Sequence, residues 1–171
     1  MKKITLLVLL VATTFIGCKS DDDNNSFLLN AENIAGTYGI SLLESSTNTT
    51  AEIAGIPVTA TATVVGDTFQ VDVTFNADGT YVAEGQYRIT STVTADGMTE
   101  TDTEIIVLDE TGSYTVNANN ETISFGASTD FPSGVFNVTT FTENQLTLEQ
   151  EFSQTEQGIT IEGNSILRLV R

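Results

Sequence analysis

The segment FQVDVTFNADGTYVAEGQY, residues 69–87, alternates apolar and polar residues on both sides of a short polar stretch. Such alternation is typical of β-strands that bury one face, because successive side chains of a strand point to opposite sides. Between the two runs, Asn76 opens a turn and Gly79 stands where the chain needs a left-handed conformation. The segment therefore predicts a β-hairpin with a three-residue loop, a type I turn closed by a bulge.

The predicted turn also fixes how the two strands pair, because it places Asn76 opposite Thr80. The pairs on the apolar face are then Phe75 with Tyr81, Val73 with Ala83, Val71 with Gly85, and Phe69 with Tyr87. The pairs on the polar face are Thr74 with Val82, Asp72 with Glu84, Gln70 with Gln86, and Thr68 with Arg88. The carboxylates of Asp72 and Glu84 could form a cation site, but we expect water to screen them.

The rest of the body consists of similar alternating segments joined by short turns. The predicted strands lie near residues 37–44, 50–65, 68–76, 80–94, 99–109, 112–117, 121–126, 134–142, 145–153 and 158–170. The one predicted helix is a single turn at residues 31–35 with Asn30 as its N-cap. The chain is therefore predicted to be all-β, an up-and-down antiparallel β-barrel of about 8–10 strands with at most this short N-terminal helical turn.

A Greek-key sandwich is the alternative fold, and it needs at least one long return connection. Residues 45–57 are the only stretch that could supply such a return, and they could equally form a rim loop. We favour the barrel because its closure would also remove the exposed strand edges that invite aggregation.

Residues 1–17 have the features of a secretory signal peptide that is cleaved. Lys2 and Lys3 precede an apolar run from Ile4 to Ile16, which is too short to cross about 30 Å of hydrocarbon as a helix. The run ends in Phe-Ile-Gly-Cys at residues 15–18, which resembles the lipobox of bacterial lipoproteins. This resemblance implies that cleavage occurs before Cys18 and that a lipid anchor on Cys18 holds the protein to a membrane. Cys18 has no disulfide partner within the chain, which fits acylation. The alternative to lipidation is that Cys18 is an ordinary small residue at the end of an ordinary signal peptide.

Residues 18–30 are expected to form a lipidated N-terminus and an acidic tether. Ser20, Asp21, Asp22 and Asp23 resemble the export tag that some Gram-negative groups place after the lipidated cysteine. The resemblance implies an outer-membrane lipoprotein exposed at the cell surface. A solvated tether is compatible with this tag. A calcium loop counted from Asp21 is disfavoured, because Ser26 stands where that loop needs glycine.

The composition excludes several classes of function. The chain has a formal net charge of -17, and without residues 1–17 it would carry four basic residues against 23 acidic ones. Nucleic-acid binding needs clustered cations and is excluded. Docking of a protein patch onto anionic lipid is disfavoured for the same reason. Membrane association therefore has to come from Cys18.

Catalysis is not expected from this sequence. The chain has no histidine, so a Ser-His-Asp triad and an ordinary zinc site are both excluded. The remaining candidates are carboxylates, which share strand faces at Glu100, Asp102 and Glu104 and at Glu149 and Glu151. Such alternation is typical of a solvent-facing strand. We predict neither an enzyme nor a cofactor.

Residues 31–171 resemble a lipocalin-like domain of bacterial surface lipoproteins. Residues 33–38, NIAGTY, are similar to the opening Gly-x-Trp of lipocalins, and residues 75–81 and 166–171 are similar to later strands of these domains. The resemblance implies a pair of Tyr38 and Arg168 that closes the barrel floor by a cation–aromatic contact.

Three functions remain open at this point. A barrel that binds a small apolar or amphiphilic ligand would have a cavity lined by Phe69, Tyr81, Tyr87 and Tyr114. A structural or accessory lipoprotein would have a filled barrel, and a hydrolase would need two buried acids in one pocket. We rank ligand binding first, and the sequence identifies no protein partner.

Overall fold

The computed structural model describes residues 27–53 and 55–171. Its strands are β1 (Gly36–Ile53), β2 (Ile56–Phe75), β3 (Thr80–Ala95), β4 (Met98–Asn117), β5 (Thr122–Phe125), β6 (Gly134–Phe141), β7 (Gln145–Glu156) and β8 (Ile159–Val170). The helical turn α1 (Ala31–Ile34) is capped by Asn30, whose side chain accepts a 2.7 Å hydrogen bond from the N–H of Asn33. Cys18 and the predicted export tag lie outside the described residues.

The eight strands form one sheet that closes into a ring. Each strand pairs antiparallel with the next, and β8 pairs with β1. The predicted fold class, an up-and-down antiparallel barrel with almost no helix, is confirmed. Residues 45–53 continue β1 instead of forming a return loop, and the predicted break between residues 109 and 112 lies within a continuous β4. Threonine is well accommodated in strands, so the threonine-rich stretch at residues 45–53 extends the sheet.

The central hairpin turns as the sequence predicts. The N–H of Asn76 donates to the carbonyl of Thr80 (2.8 Å), and the N–H of Gly79 donates to the carbonyl of Asn76 (3.1 Å). Gly79 has a φ of 86°, the left-handed conformation that the bulge requires. The pairs from Phe75 with Tyr81 to Gln70 with Gln86 are in the predicted register.

The predicted register ends at a bulge in β2. The residue opposite Arg88 is Asp67 rather than the predicted Thr68, because the register shifts between Asp67 and Gln70. Thr68 adopts a φ of 53° there, and Asp67 forms a 2.7 Å salt bridge with Arg88. The rings of Phe69 and Tyr87 remain neighbours, with centroids 6.1 Å apart. A bulge of this kind changes which side chains of β2 face the barrel interior.

The hydrophobic core fills one end of the barrel, which we call the closed end. Phe75 lies at its centre, with its ring centroid 5.1 Å from that of Tyr114 and 5.7 Å from that of Tyr38. Both pairs are edge-to-face, an arrangement that aromatic rings favour. Phe125 and Phe131 are also buried in this cluster. The closed end is therefore a packed interior.

Helix α1 and the hairpin turn both lie at the closed end. The hydroxyl of Tyr114 donates to the carbonyl of Asn76 in the turn (2.8 Å) and approaches the carbonyl of Ala31 in α1 (3.4 Å). The opposite end, which we call the open end, contains the two-residue turns at residues 96–97 and 157–158, where Gly97 and Gly158 have positive φ.

The ring is complete only near the closed end, because β5 and β6 are short. β5 pairs with residues 114–117 of β4, and β6 pairs with residues 146–149 of β7. Within the described residues, residues 98–112 of β4 and 150–156 of β7 therefore lack a strand partner on the edges that face each other. We call this opening the slit. It corrects the expectation that closure removes all exposed edges.

Candidate ligand-binding surface

The inner face of the barrel can be followed from the core into the open end. The register of β7 with β8 has no shift, so the buried pair of Leu148 and Leu167 and the pair of Phe152 and Gly163 share one face. The register of β3 with β4 is equally regular. Every second residue therefore faces the interior along the whole length of these strands.

The inner face of the open end consists mainly of small and apolar side chains. On β2 and β8 these residues are Ala60, Ala62, Val64, Ile161, Gly163 and Ser165. The large aromatic rings of the core are absent from this set. The open end is therefore wide enough to leave space between its walls.

A cavity of about 700 Å³ lies against four neighbouring strands at the open end. Its lining comes from residues 46–48 of β1, 61–63 of β2, 151–153 of β7 and 162–164 of β8. Because successive side chains alternate between the two faces of a strand, four of these residues lie on the inner face: Thr47, Ala62, Phe152 and Gly163. The inner face of the cavity thus carries the hydroxyl of Thr47 and the aromatic ring of Phe152.

Among the described residues, Phe152 is the only aromatic residue that lines this cavity, and its position depends on Gly163. The side chain of Phe152 is 39% exposed, which is high for a phenylalanine. A Cβ atom at Gly163 would collide with the Phe152 ring and with the carbonyl of Ser46. Glycine at position 163 therefore leaves room for the Phe152 ring, part of which stays exposed.

The four aromatic residues predicted to bind ligand lie deeper in the barrel. Tyr81 and Tyr114 are 1% and 3% exposed and belong to the packed core of the closed end. Burial raises the pKa of Tyr114 to about 12. Phe69 and Tyr87 lie beside one another between the core and the open end, and none of the four lines the 700 Å³ cavity. The candidate surface is therefore displaced toward the open end from the predicted one.

The cation that faces Tyr38 is Arg171, not the predicted Arg168. The guanidinium carbon of Arg171 lies 4.5 Å from the centroid of the Tyr38 ring. Arg168 is exposed, because it lies between Leu167 and Leu169, which both point inward. Arg171 follows the last residue of β8, where the strand no longer dictates the direction of the side chain.

The connection between β5 and β6, residues 126–133, is held to the inner face of β4. The carboxylate of Glu110 accepts hydrogen bonds from the Ser128 hydroxyl and from the N–H groups of Thr129 and Asp130. These bonds, the one from Ser128 foremost, lower the pKa of Glu110. Phe131 follows and packs on Tyr81 with ring centroids 4.9 Å apart. This connection covers the core on the side of the slit.

Glu100, Asp102 and Glu104 share one strand face, as predicted, but that face is the inner one. They pair with Val93, Ser91 and Ile89 of β3. These three residues lie on the same face of β3 as the buried Ala83. All three acids are nevertheless exposed, because they border the slit. Glu149 and Glu151 lie on the outer face of β7. Within residues 27–53 and 55–171, no group of three or more acidic or cysteine residues is arranged to hold a metal ion.

Comparisons with protein-family models, with curated protein sequences and with solved structures found no match to this chain. None of the helices in the part of the chain that the structure describes is long and apolar enough to span a membrane.

Sequence reasoning did not identify Phe152 and Gly163 as part of the candidate site. The alternation that buries Leu146 and Leu148 continues through Gln150 to Phe152, and this pattern was the available signal. The position of Gly163 opposite Phe152 depends on the register of β7 with β8, which no turn motif in the sequence specifies.

Proposed function

We propose that this protein is a cell-surface lipoprotein of the outer membrane, anchored through a lipid on Cys18. Its lipocalin-like barrel binds a small apolar or amphiphilic ligand at the open end. The proposed role is binding without catalysis, and it requires no cofactor.

The observation that carries the proposal is the cavity of about 700 Å³ at the open end. Pockets of roughly 300–1,000 Å³ are typical of small-molecule sites, and they combine apolar walls with a few polar groups. The Phe152 ring and Ala62 supply apolar surface, whereas the hydroxyl of Thr47 supplies a hydrogen-bonding group. This combination suits a ligand with an apolar body and a neutral polar head.

The position of the N-terminal segment supports an arrangement in which the open end points away from the membrane. Helix α1 contacts the closed end through Tyr114, and Arg171 donates to the carbonyls of α1. Eight residues separate Cys18 from Phe27, so an anchor on Cys18 would lie within about 30 Å of Phe27 even if that segment were fully extended. A ligand would then reach the cavity from solution.

Binding can be tested with a neutral, environment-sensitive apolar dye such as Nile red. We expect Phe152→Ala to weaken dye binding at least tenfold, because it removes the aromatic surface of the cavity. Phe141→Ala is the matched control, because Phe141 packs against Phe27 at the closed end. The proposal fails if the wild-type barrel does not bind the dye or if both variants reduce binding equally.

The anchor can be tested separately in a Gram-negative host. Wild-type protein should incorporate labelled fatty acid and require detergent for extraction, whereas Cys18→Ser should do neither. Protease added to intact cells should release the barrel if the protein is exposed at the surface, with a periplasmic protein as the control for cell integrity.

A structural or accessory lipoprotein is the second candidate, and the packed core of the closed end favours it. Native mass spectrometry of protein purified from its own host distinguishes the two candidates. A retained small molecule supports ligand binding, and protein of the bare polypeptide mass supports the accessory role.

A further inference from the structure

The edge of β4 that borders the slit is long and regular. Residues 98–112 pair with β3 without a register shift on one side, and on the other side they have no strand partner among residues 27–53 and 55–171. Half of the N–H and C=O groups of such a segment point away from the paired neighbour, so the free edge is a template for another strand. Residues 126–133 cover the edge near Glu110, which leaves residues 98–108 accessible.

The two faces of this edge differ in chemistry. Ile105 and Val107 are 62% and 65% exposed on the outer face. Glu100, Asp102 and Glu104 lie on the inner face at every second residue. A strand added to the edge would place its own side chains directly opposite these two rows, because cross-strand neighbours share a face.

Charge complementarity selects the kind of strand that can bind. A second copy of β4 would bring carboxylates beside carboxylates, which is unfavourable, so the acidic row protects the edge against self-association. A basic strand with cations at every second residue would instead pair with each acid in turn. The arginines of the described residues are engaged or placed elsewhere: Arg88 binds Asp67, Arg171 binds at the closed end, and Arg168 lies on β8.

We propose that residues 98–108 of β4 bind an extended basic segment of a partner protein by β-strand addition. The segment has alternating basic and apolar residues, with the basic residues facing Glu100, Asp102 and Glu104. Backbone hydrogen bonds along the edge supply affinity, and the alternating side chains supply specificity. This interaction goes beyond the proposed ligand binding and does not depend on the cavity.

The test uses a synthetic peptide with five Lys-Val repeats, which presents alternating basic and apolar side chains. We expect the peptide to bind wild-type protein and to slow amide hydrogen exchange within residues 98–108. A peptide of the same composition with all lysines in one block should bind at least tenfold more weakly. Equal binding of the two peptides, or protection elsewhere in the barrel, would overturn the proposal.

Substitutions in the protein separate strand addition from general attraction to an acidic surface. The triple variant Glu100→Gln, Asp102→Asn, Glu104→Gln should weaken binding of the alternating peptide at least tenfold. The matched control is Glu149→Gln, Glu151→Gln, Glu162→Gln, which removes the same charge from the outer face of β7 and β8. Equal losses in the two variants would mean non-specific attraction and would refute the proposal.

Backbone pairing itself can be tested with methylated peptides. One peptide carries methyl groups on the amide nitrogens of its lysines, and a second peptide carries them on those of its valines. Each peptide retains every side chain of the original and lacks the backbone N–H donor at every second residue. At least one of these peptides should lose binding, because an added strand directs one set of N–H groups at β4. Undiminished binding of both would exclude strand addition. Phe152→Ala should leave peptide binding unchanged, so a failure of the proposed ligand site is distinguishable from a failure here.

Discussion

Arg171, the last residue of the chain, packs over the ring of Tyr38 near the start of the first strand. Its guanidinium carbon lies 4.5 Å from the ring centroid, and Nη2 donates to the carbonyls of Asn33, Ile34 and Ala35 at 3.2, 3.1 and 2.8 Å. Nη1 donates to the carbonyl of Glu143 in the turn between β6 and β7. One side chain thus joins α1, β1 and a distant turn at the closed end. Gly36 leaves room for it, because a Cβ there would lie 3.0 Å from Nη2.

We predict that Arg171→Ala lowers the free energy of unfolding by about 1–2 kcal/mol. The change removes a cation–aromatic contact and several charge-assisted hydrogen bonds at a partly exposed site. Arg168→Ala is the matched control and should change stability by less than about 0.5 kcal/mol, because Arg168 is an exposed residue outside the core. Urea denaturation at neutral pH measures both. Equal effects of the two substitutions would contradict the role of Arg171.

We predict that Gly85→Ala lowers the free energy of unfolding by more than about 2 kcal/mol. Gly85 has a φ of 126°, and a Cβ there would collide with the backbone of Gln70 on the neighbouring strand. Gly97→Ala is the control, since Gly97 also has positive φ but no atom within 4 Å of its Cβ position. It should cost about 1 kcal/mol from backbone conformation alone. A Gly85 variant as stable as the Gly97 variant would show that the close strand approach is not maintained.

Glu110 is expected to make the connection at residues 126–133 sensitive to acid. Its pKa is lowered by hydrogen bonds from Ser128 and the following backbone N–H groups, so its contribution to stability is present above the unfolded pKa of about 4.3 and is lost as the pH falls through its folded pKa. The protection factors of the amides of residues 128–131, which correct for the slower intrinsic exchange in acid, should therefore fall below about pH 4 in the wild type. Glu110→Gln should show fast exchange already at neutral pH and a weaker dependence on acid. Identical pH profiles for the two proteins would contradict this role.

The phenol groups should resist ionisation as long as the barrel is folded. Burial is the main cause that raises the pKa of all four tyrosines, Tyr38, Tyr81, Tyr87 and Tyr114. Because the neutral form is favoured in the folded state, stability should fall as the pH rises above the unfolded pKa of about 10. Near-ultraviolet absorbance should show phenolate appearing later in native protein than in protein unfolded by urea. Coincident titration curves would contradict burial of these rings.

Local sequence was sufficient wherever short-range chemistry decides the structure. The hairpin at residues 69–87 and its register up to Gln70 follow from Asn76, Gly79 and the alternation on either side, because a tight turn leaves the flanking residues one favourable pairing. The all-β class follows in the same way from alternation without helical periodicity.

The predicted site depended on longer-range geometry and was displaced for that reason. Tyr81 and Tyr114 were expected beside a ligand, but they fill the core because aromatic side chains from several strands converge at the closed end. The cavity instead forms where the inner face carries small residues and where β7 and β8 place Phe152 over Gly163.

Sequence alone thus determined the alternation, the turns and the acidic character of the chain. Tertiary structure decided which arginine meets Tyr38, which face of β4 carries its acids, and where the ring stays open. Arg171 lies beyond a strand end, where the alternation no longer dictates the direction of a side chain, whereas the face of the β4 acids follows from the unbroken pairing of β4 with β3. Ring closure depends in addition on the lengths of distant strands, and β5 and β6 are too short to cover the edge of β4.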